Sequence, residues 1–348
     1  MELILASAGS YPRSGSGVGL QALVHAREAV ARGEQTAADL ADAENYMVRR
    51  AIEEQVTAGF EVVTDGLTRW LDPVSHLAGK LDGVELGAER ALPGGGSYRV
   101  PVLTKRPARQ APLLAEEYRF ACNALGTLLT PRAKAGKLAV KAVLTGPFTL
   151  AKLSESKDPA MAALEARADA FAAALAAEVL TLAEGGAQHI QVDEPAPFDS
   201  PSEWAVLRAG FSALAAARDA ARKAGRRVEL TLALPSRGAA AQFDSLAELP
   251  ADVIAFDLTG DAKLYDRLAT SGAPKPVHLG LISGRSAVLE DTRELARRLE
   301  ALLPKLAAGR VFLGPADGLD ALPRECARQK LELMARVREI VAGRPVPL

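Results

Sequence analysis

Acidic residues stand just past short apolar runs along this chain. Asp65 follows the run at 61–64, Asp193 and Glu194 follow 189–192, Asp257 follows 253–256, and Asp317 lies shortly after 311–313. Gathering several carboxylates into one cavity raises their pKa values and costs stability unless cations neutralise them. Such a site suits an amine-bearing ligand, a hard cation bound through oxygen, or internal pairing with arginine. Arg69 and Arg285 follow two of the same kind of run and can supply that pairing or hold an anionic group. Asp65 and Glu194, crowded by like charge, are the candidate general bases. The competing role for these acids is structural: an acid past a strand caps the first turn of the next helix, and Asp257 and Asp317 are the two most open to that role.

The remaining reactive side chains are less informative. His189 opens its run and His278 lies early in another, and both read as structural. His25 sits on a helix or loop, and His76 lies in a long insertion. No two histidines have metal-ligand spacing. Cys122 and Cys326 are far apart on predicted helices and read as small buried apolar residues, with no disulfide framework. No Gly-x-Ser-x-Gly elbow supports a hydrolase triad.

These residues need elements to position them. The chain has 348 residues, 49% of them hydrophobic, which is ample for a well-buried core. Its net charge of −1 gives no reason to expect nucleic acid or an anionic membrane as partner. The first residues read as a strand, no apolar run reaches the length of a membrane span, and the expected location is cytoplasmic. Eight apolar runs, at 3–8, 61–64, 139–144, 189–192, 228–234, 253–256, 277–282 and 311–313, are apolar enough to be buried on both faces. Amphipathic segments at 36–58, 163–184, 202–224, 262–270, 292–308 and 323–342 lie between them and predict helices. Gly59, Gly136, Gly186, Gly225 and Gly309 are placed to close the preceding helices. This alternation predicts an α/β chain folded as a single (β/α)8 TIM barrel over residues 1–348. An open doubly wound sheet is the alternative. It would carry a phosphate-binding turn after its first strand, but Gly15-Ser16-Gly17-Val18-Gly19 comes too late and has no ribose-binding acid at the right distance. That stretch reads as a surface loop. Residues 70–137 form an insertion: a β-hairpin arm at 81–86 and 98–105 with a glycine-rich tip, then a helix near 113–128. In a barrel the site is built at the C-terminal ends of the strands, which adds Gly9, Ser10 and Thr145 to the candidates.

Five segments occur in order: Ala8-Gly9-Ser10-Tyr11-Pro12-Arg13, Val62-Val63-Thr64-Asp65-Gly66, Leu144-Thr145-Gly146-Pro147-Phe148-Thr149, Ile190-Gln191-Val192-Asp193-Glu194-Pro195-Ala196, and Gly314-Pro315-Ala316-Asp317-Gly318-Leu319. Together, over nearly the whole chain, they resemble the C-terminal catalytic barrel of cobalamin-independent methionine synthase in a single-barrel form. The resemblance implies methyl transfer in which zinc binds the homocysteine thiol and makes it a thiolate. It implies zinc ligands from a His-x-Cys on strand five, a Glu on strand six and a Cys on strand eight. Here those positions read Thr231-Leu232-Ala233, Asp257 and Asp317. Carboxylates without thiolate or imidazole do not make a tetrahedral zinc site.

The acid that the resemblance implies after the strand-two Asp-Gly is Leu67. Its catalytic histidine after strand seven is Arg285, and its folate-stacking aromatic is Leu153. The amino-acid end remains: Gly9 and Ser10 offer donors to a carboxylate, and Asp193 can take an ammonium group. The expectation is therefore a methyltransferase-family enzyme for a small amino-acid-like or amine-bearing substrate, without zinc, using a folate or corrinoid methyl donor. Asp65, Glu194 and Arg285 would be catalytic. Gly9, Ser10, Arg69, Thr145, Asp193, Asp257 and Asp317 would bind substrate. The alternatives are a lyase or decarboxylase on the same barrel, with or without carboxylate-bound Mg²⁺ or Mn²⁺, and a non-catalytic sensor or partner subunit of a methyl-carrier protein that uses the hairpin arm for contact.

Overall fold

The computed structural model describes residues 1–17, 19–92, 95–128, 138–260, 262–273, 275–306 and 309–343. Val18, Pro93, Gly94 and Gly136, and with them part of the glycine-rich loop, of the hairpin tip and of the end of the insertion, lie outside the described residues. The strands are β1 (Glu2–Leu5), β2 (Val62–Val63), β3 (Asp82–Ala91), β4 (Ser97–Ala108), β5 (Ala139–Thr145), β6 (Glu155–Ser156), β7 (His189–Asp193), β8 (Glu229–Leu234), β9 (Val253–Asp257), β10 (Val277–Ile282) and β11 (Arg310–Pro315). The helices are α1 (Ala22–Ala31), α2 (Ala37–Thr57), α3 (Ser75–Ala78), α4 (Ala115–Gly126), α5 (Pro147–Lys152), α6 (Leu164–Glu184), α7 (Pro201–Lys223), α8 (Ser236–Ala241), α9 (Ala262–Ser271), α10 (Thr292–Leu302) and α11 (Arg324–Val341).

One eight-stranded sheet runs in the order β1-β11-β10-β9-β8-β7-β5-β2. Its registered pairs are parallel. A further parallel bridge joins Ala6 to Val62, so the strand order returns to its start. That is the topology of the predicted (β/α)8 barrel. The first strand is shorter than its apolar run: beyond Ala6, the Ser7 hydroxyl turns to Gln55. The predicted helix at 292–308 ends as an α-helix at Leu302 and tightens into a 3₁₀ turn at Leu303–Lys305, where Pro304 removes a backbone donor. Gly59, Gly186 and Gly225 take left-handed φ angles of 98°, 92° and 81° as helix closers, whereas Gly309 does not.

The chain divides into two compact units. One comprises Met1–Arg69, Phe120–Val140 and Phe256–Leu348; the other comprises Trp70–Arg119 and Lys141–Ala255. In the first unit β10 is buried along its whole length. Helix α2 buries Met47, Val48, Ala51, Ile52, Gln55 and Val56, and α11 buries Ala327, Leu331, Met334 and Val337 at helical spacing. A capping box of Thr36 and Asp39 starts α2. In the second unit α6 buries Phe171, Leu175, Val179 and Leu182. The hairpin arm is real and longer than its apolar run. β3 and β4 pair antiparallel, and β6 adds to β4 to make a three-stranded sheet. The predicted insertion is thus divided: residues 70–119 belong to the second unit, and Phe120 onward to the first.

Candidate active site

In the first unit, a buried amide organises the ends of β1 and β2. Gln55 of α2 donates to the carbonyls of Ala51 and Thr64, both at 2.9 Å. Its carbonyl accepts from the Thr64 amide at 2.9 Å and from the Ser7 hydroxyl at 2.5 Å. The Thr64 hydroxyl in turn donates to the Gly9 carbonyl at 2.5 Å. Asp65 is thereby presented at a fixed turn, and its Oδ1 accepts the Leu67 amide at 2.9 Å. Leu67 sits at φ +47°, a conformation that a non-glycine residue adopts at a cost. Ser10 does not stand free: its hydroxyl donates to Asp320, and its carbonyl accepts the Leu319 amide at 2.9 Å.

Arg69 lies among residues of its own unit. Its guanidinium donates to Asn45 of α2 at 2.6 Å and lies 5.0 Å from the Phe120 ring centroid. Arg27 also approaches Glu44, the acid beside Arg69. The long side chain packs against helices, and its Nη1 is buried without a hydrogen-bond partner among the described residues.

Asp257, Arg285 and Asp317 come together, as the sequence anticipated. Asp257 ends β9, and its Oδ1 accepts from the Thr259 amide at 2.8 Å and hydroxyl at 2.7 Å. Asp317 follows β11, and its Oδ1 accepts the Gly284 amide at 2.7 Å. A Cβ at position 284 would lie 1.9 Å from the Gly318 carbonyl oxygen, so only glycine permits this approach. The remaining oxygens share one guanidinium: Arg285 Nε lies 2.5 Å from Asp317 Oδ2, and Nη2 lies 3.5 Å from Asp257 Oδ2. Burial pushes the Asp317 carboxyl up, while the Gly284 amide and Arg285 pull it back. Arg285, a catalytic candidate and a candidate partner for the acids, is an ion-pair partner of both.

In the second unit, Thr145 ends β5 and donates its hydroxyl to the Pro73 carbonyl, pinning the start of the insertion. Its neighbour in register is Asp193 of β7. Asp193 Oδ1 accepts from the Gln191 amide nitrogen at 2.7 Å, and the Gln191 carbonyl accepts from Lys141 Nζ at 2.5 Å. The donors and acceptors therefore run in one sense, ammonium to amide to carboxylate. Below them, His189 Nδ1 lies 2.6 Å from Glu229, the structural role expected of that histidine. Burial raises the Asp193 carboxyl and lowers the Lys141 ammonium, and their mutual attraction opposes both shifts. Lys141 was missed in the sequence because its run looked apolar throughout. A lysine in the middle of a doubly buried strand was the available signal.

Glu194, expected as a base, is fully buried, and both its oxygens are engaged. The amides of Phe148 and Thr149 donate to it at 3.0 and 2.7 Å, at the start of α5. A Cβ at Gly146 would lie 2.2 Å from its carboxyl carbon. Burial pushes Glu194 up to about 7 against these donors. His76, in the insertion, stacks on Trp70 with ring centroids 4.8 Å apart and lies 3.0 Å from Glu117. His278 is buried, with Nε2 3.2 Å from the Pro315 carbonyl oxygen. His25 lies on α1. Cys122 and Cys326 are half-buried and not joined in a disulfide. Among the described residues, no three His, Cys, Asp or Glu side chains form a group that could hold a metal ion. No helix among them is long and apolar enough to cross a membrane.

The arrangement therefore offers a neutralised acid pair on β9 and β11 and a carboxylate on β7 whose charge is backed by a buried ammonium. Comparison with known proteins gives the chemistry a setting. A family model described as the catalytic domain of cobalamin-independent synthase matches residues 3–339. The chain is 25% identical over 342 residues to the methionine synthase of Saccharolobus solfataricus, covering 96% of this chain and 93% of that protein. It is 25% identical over 304 residues to the methionine synthase of Methanothermobacter marburgensis, covering 85% and 89%. Among solved structures, a B12-independent methionine synthase from a Shewanella species, in complex with selenomethionine, superposes with a TM-score of 0.76 at 20% identity over 99% of this chain and 98% of that one, a likeness of fold.

Proposed function

This chain belongs to the family of cobalamin-independent synthase catalytic domains, and from that membership we propose that it is a methyltransferase for a small amino-acid-like or amine-bearing acceptor that works without the zinc ion implied by the methionine synthase resemblance. The observation that carries the zinc-free part is the Arg285 guanidinium paired with both Asp257 and Asp317. The residues present do not fit zinc. Two carboxylates already committed to an arginine, with Thr231 and Ala233 where imidazole and thiolate would be needed, form no tetrahedral donor set.

Asp193 supports the amine-bearing part. A carboxylate ordered by Gln191 and backed by Lys141 is a fixed acceptor for an ammonium group. Asp65 is the candidate base for a thiol or other acidic acceptor, since Glu194 has both oxygens occupied by amides. The methyl donor is a folate or a corrinoid carried by a partner protein; Leu153, standing where the resemblance implies a stacking aromatic, weakens the folate arm.

The test is metal analysis of freshly purified protein followed by methyl-transfer assays. These pair methylfolate or a methylcorrinoid protein with homocysteine and with other amine-bearing thiols. Transfer by protein that holds no stoichiometric zinc is the expected result. One equivalent of tightly held zinc would end the reading.

A further inference from the structure

We infer that Arg285 is a built-in counter-cation that neutralises Asp257 and Asp317 in place of a metal ion, and that Lys330 and Glu290 are the positioning residues that keep it there. This deepens the zinc-free part of the reading above and rests on it.

The two acids leave the ends of separate strands, and each spends Oδ1 on its local surroundings. Thr259 takes that oxygen of Asp257, and the Gly284 amide takes that of Asp317. Each then has Oδ2 remaining, and both of those oxygens meet the same guanidinium. Two partly buried carboxylates this close take up a proton or a cation. Arginine supplies the cation permanently, because its charge cannot be titrated away. A guanidinium also brings only donors. It neutralises the acids and leaves no open coordination position for a substrate thiolate.

The loop that carries Arg285 runs from β10 to α10 and is closed on itself. Glu290 Oε1 accepts the Ser283 amide at 2.9 Å, tying the two ends of the loop together. Lys330 of α11 then grips it from beneath: Nζ donates to Glu290 Oε1 at 2.8 Å, to Oε2 at 2.9 Å and to the Val288 carbonyl at 2.8 Å. The Lys330 side chain is 0% exposed, so all its donors are spent inside the protein on this one loop. Within the loop, the Ser283 hydroxyl accepts the Arg285 amide at 3.1 Å. The bracket fixes where the Arg285 backbone stands, and the two acids fix its side chain.

If the guanidinium holds the place of a cation, deleting it should create a cation site. The probe is Mn²⁺, followed on the full chain by electron paramagnetic resonance titration and by metal analysis after gel filtration. Wild type and Arg285→Lys should show no saturable uptake. Arg285→Ala should bind one equivalent, tighter than wild type by at least roughly tenfold, and adding Asp317→Asn should abolish that gain. Arg285 is itself 57% exposed, and circular dichroism checks that the truncated protein is folded. Lys330→Met should show a smaller gain, because the guanidinium is then loosely held; Lys330→Gln, which keeps donors, replaces it if Lys330→Met does not fold. Wild-type behaviour in whichever of these Lys330 variants folds overturns the positioning role. Equal Mn²⁺ binding by Arg285→Ala and wild type, with both folded by circular dichroism, overturns the counter-cation while the zinc-free reading stands. Stoichiometric zinc in the wild type overturns that reading instead.

Discussion

Glu194 shows at the scale of one residue how a functional-looking motif can be spent on structure. Its carboxyl lies beside an adjacent acid, yet both oxygens hold the first turn of α5. A carboxyl whose folded pKa is raised from 4.5 to about 7 binds its proton more tightly when folded. The stability it adds is complete below about pH 4.5 and is lost as pH rises through about 7. Wild type should therefore exceed Glu194→Gln in stability most clearly near pH 5, and the gap should shrink by pH 8 by on the order of 3 kcal/mol. Thermal melts of the two proteins across that range measure it; a gap that widens with pH would mean that the ionised form is the one the helix holds. Lys141 makes the opposite case, a group with no obvious motif and a large consequence. Lys141→Met leaves Asp193 buried without its ammonium and should cost about 3 kcal/mol by urea unfolding; a cost under about 1 kcal/mol would mean that the ammonium does not back Asp193. Neither role was legible in the sequence. The acids could be located from strand ends, but which way Glu194, Arg69 and Arg285 turn depends on partners that are distant along the chain. The Arg285–Asp317 pair spans 32 positions and depends on a glycine at 284 that only the folded loop explains.

At the scale of elements the sequence was far more legible, because strand and helix follow from local pattern. β10 and its run agree residue for residue, since an unbroken apolar stretch bounded by polar turns admits one strand. The long helices agree within a residue or so where a cap or glycine marks the end, as Thr36 and Gly59 do for α2. What escaped were the short pieces α3, α5, α8 and β6, too brief to show a period, and the ten-residue α1. The hairpin arm is held by a neighbouring helix. Glu178 of α6, fully buried, accepts Arg109 Nε at 2.8 Å and the amides of Leu113 and Leu114 at 2.8 and 2.7 Å. It ties the segment between β4 and α4 to a core helix. Glu178→Ala strands a buried arginine and two amides, and should destabilise the protein by about 3–5 kcal/mol. Hydrogen exchange should then show the 109–114 amides losing protection ahead of the α6 core. Uniform loss across the chain would mean that the tie is not local to the arm.

For the whole molecule, the common thread is internal neutralisation. The net charge is −1, and three of the five acids that resembled a metal or ligand site have cations nearby: Arg285 for Asp257 and Asp317, Lys141 for Asp193. A molecule balanced in this way should not depend on a metal for its stability, and that is measurable apart from catalysis. A ligand that binds only the folded state adds RT ln(1 + [L]/Kd), about 4 kcal/mol at a thousandfold excess over Kd. Stripping a tightly bound zinc would remove a contribution of that size. For a chain of this length it corresponds to roughly 6 °C in Tm. Treatment with a strong chelator should instead leave Tm unchanged within about 1 °C. The same melts should rise when the acceptor is present. An amine-bearing compound at a hundredfold excess over Kd adds about 3 kcal/mol, or roughly 4 °C. That rise should disappear in Asp193→Asn, which keeps the shape of the side chain and removes the charge an ammonium would seek. A ligand-induced rise that survives Asp193→Asn would move the amine to another acid. A fall of several degrees on chelation would return the metal to the centre of the molecule.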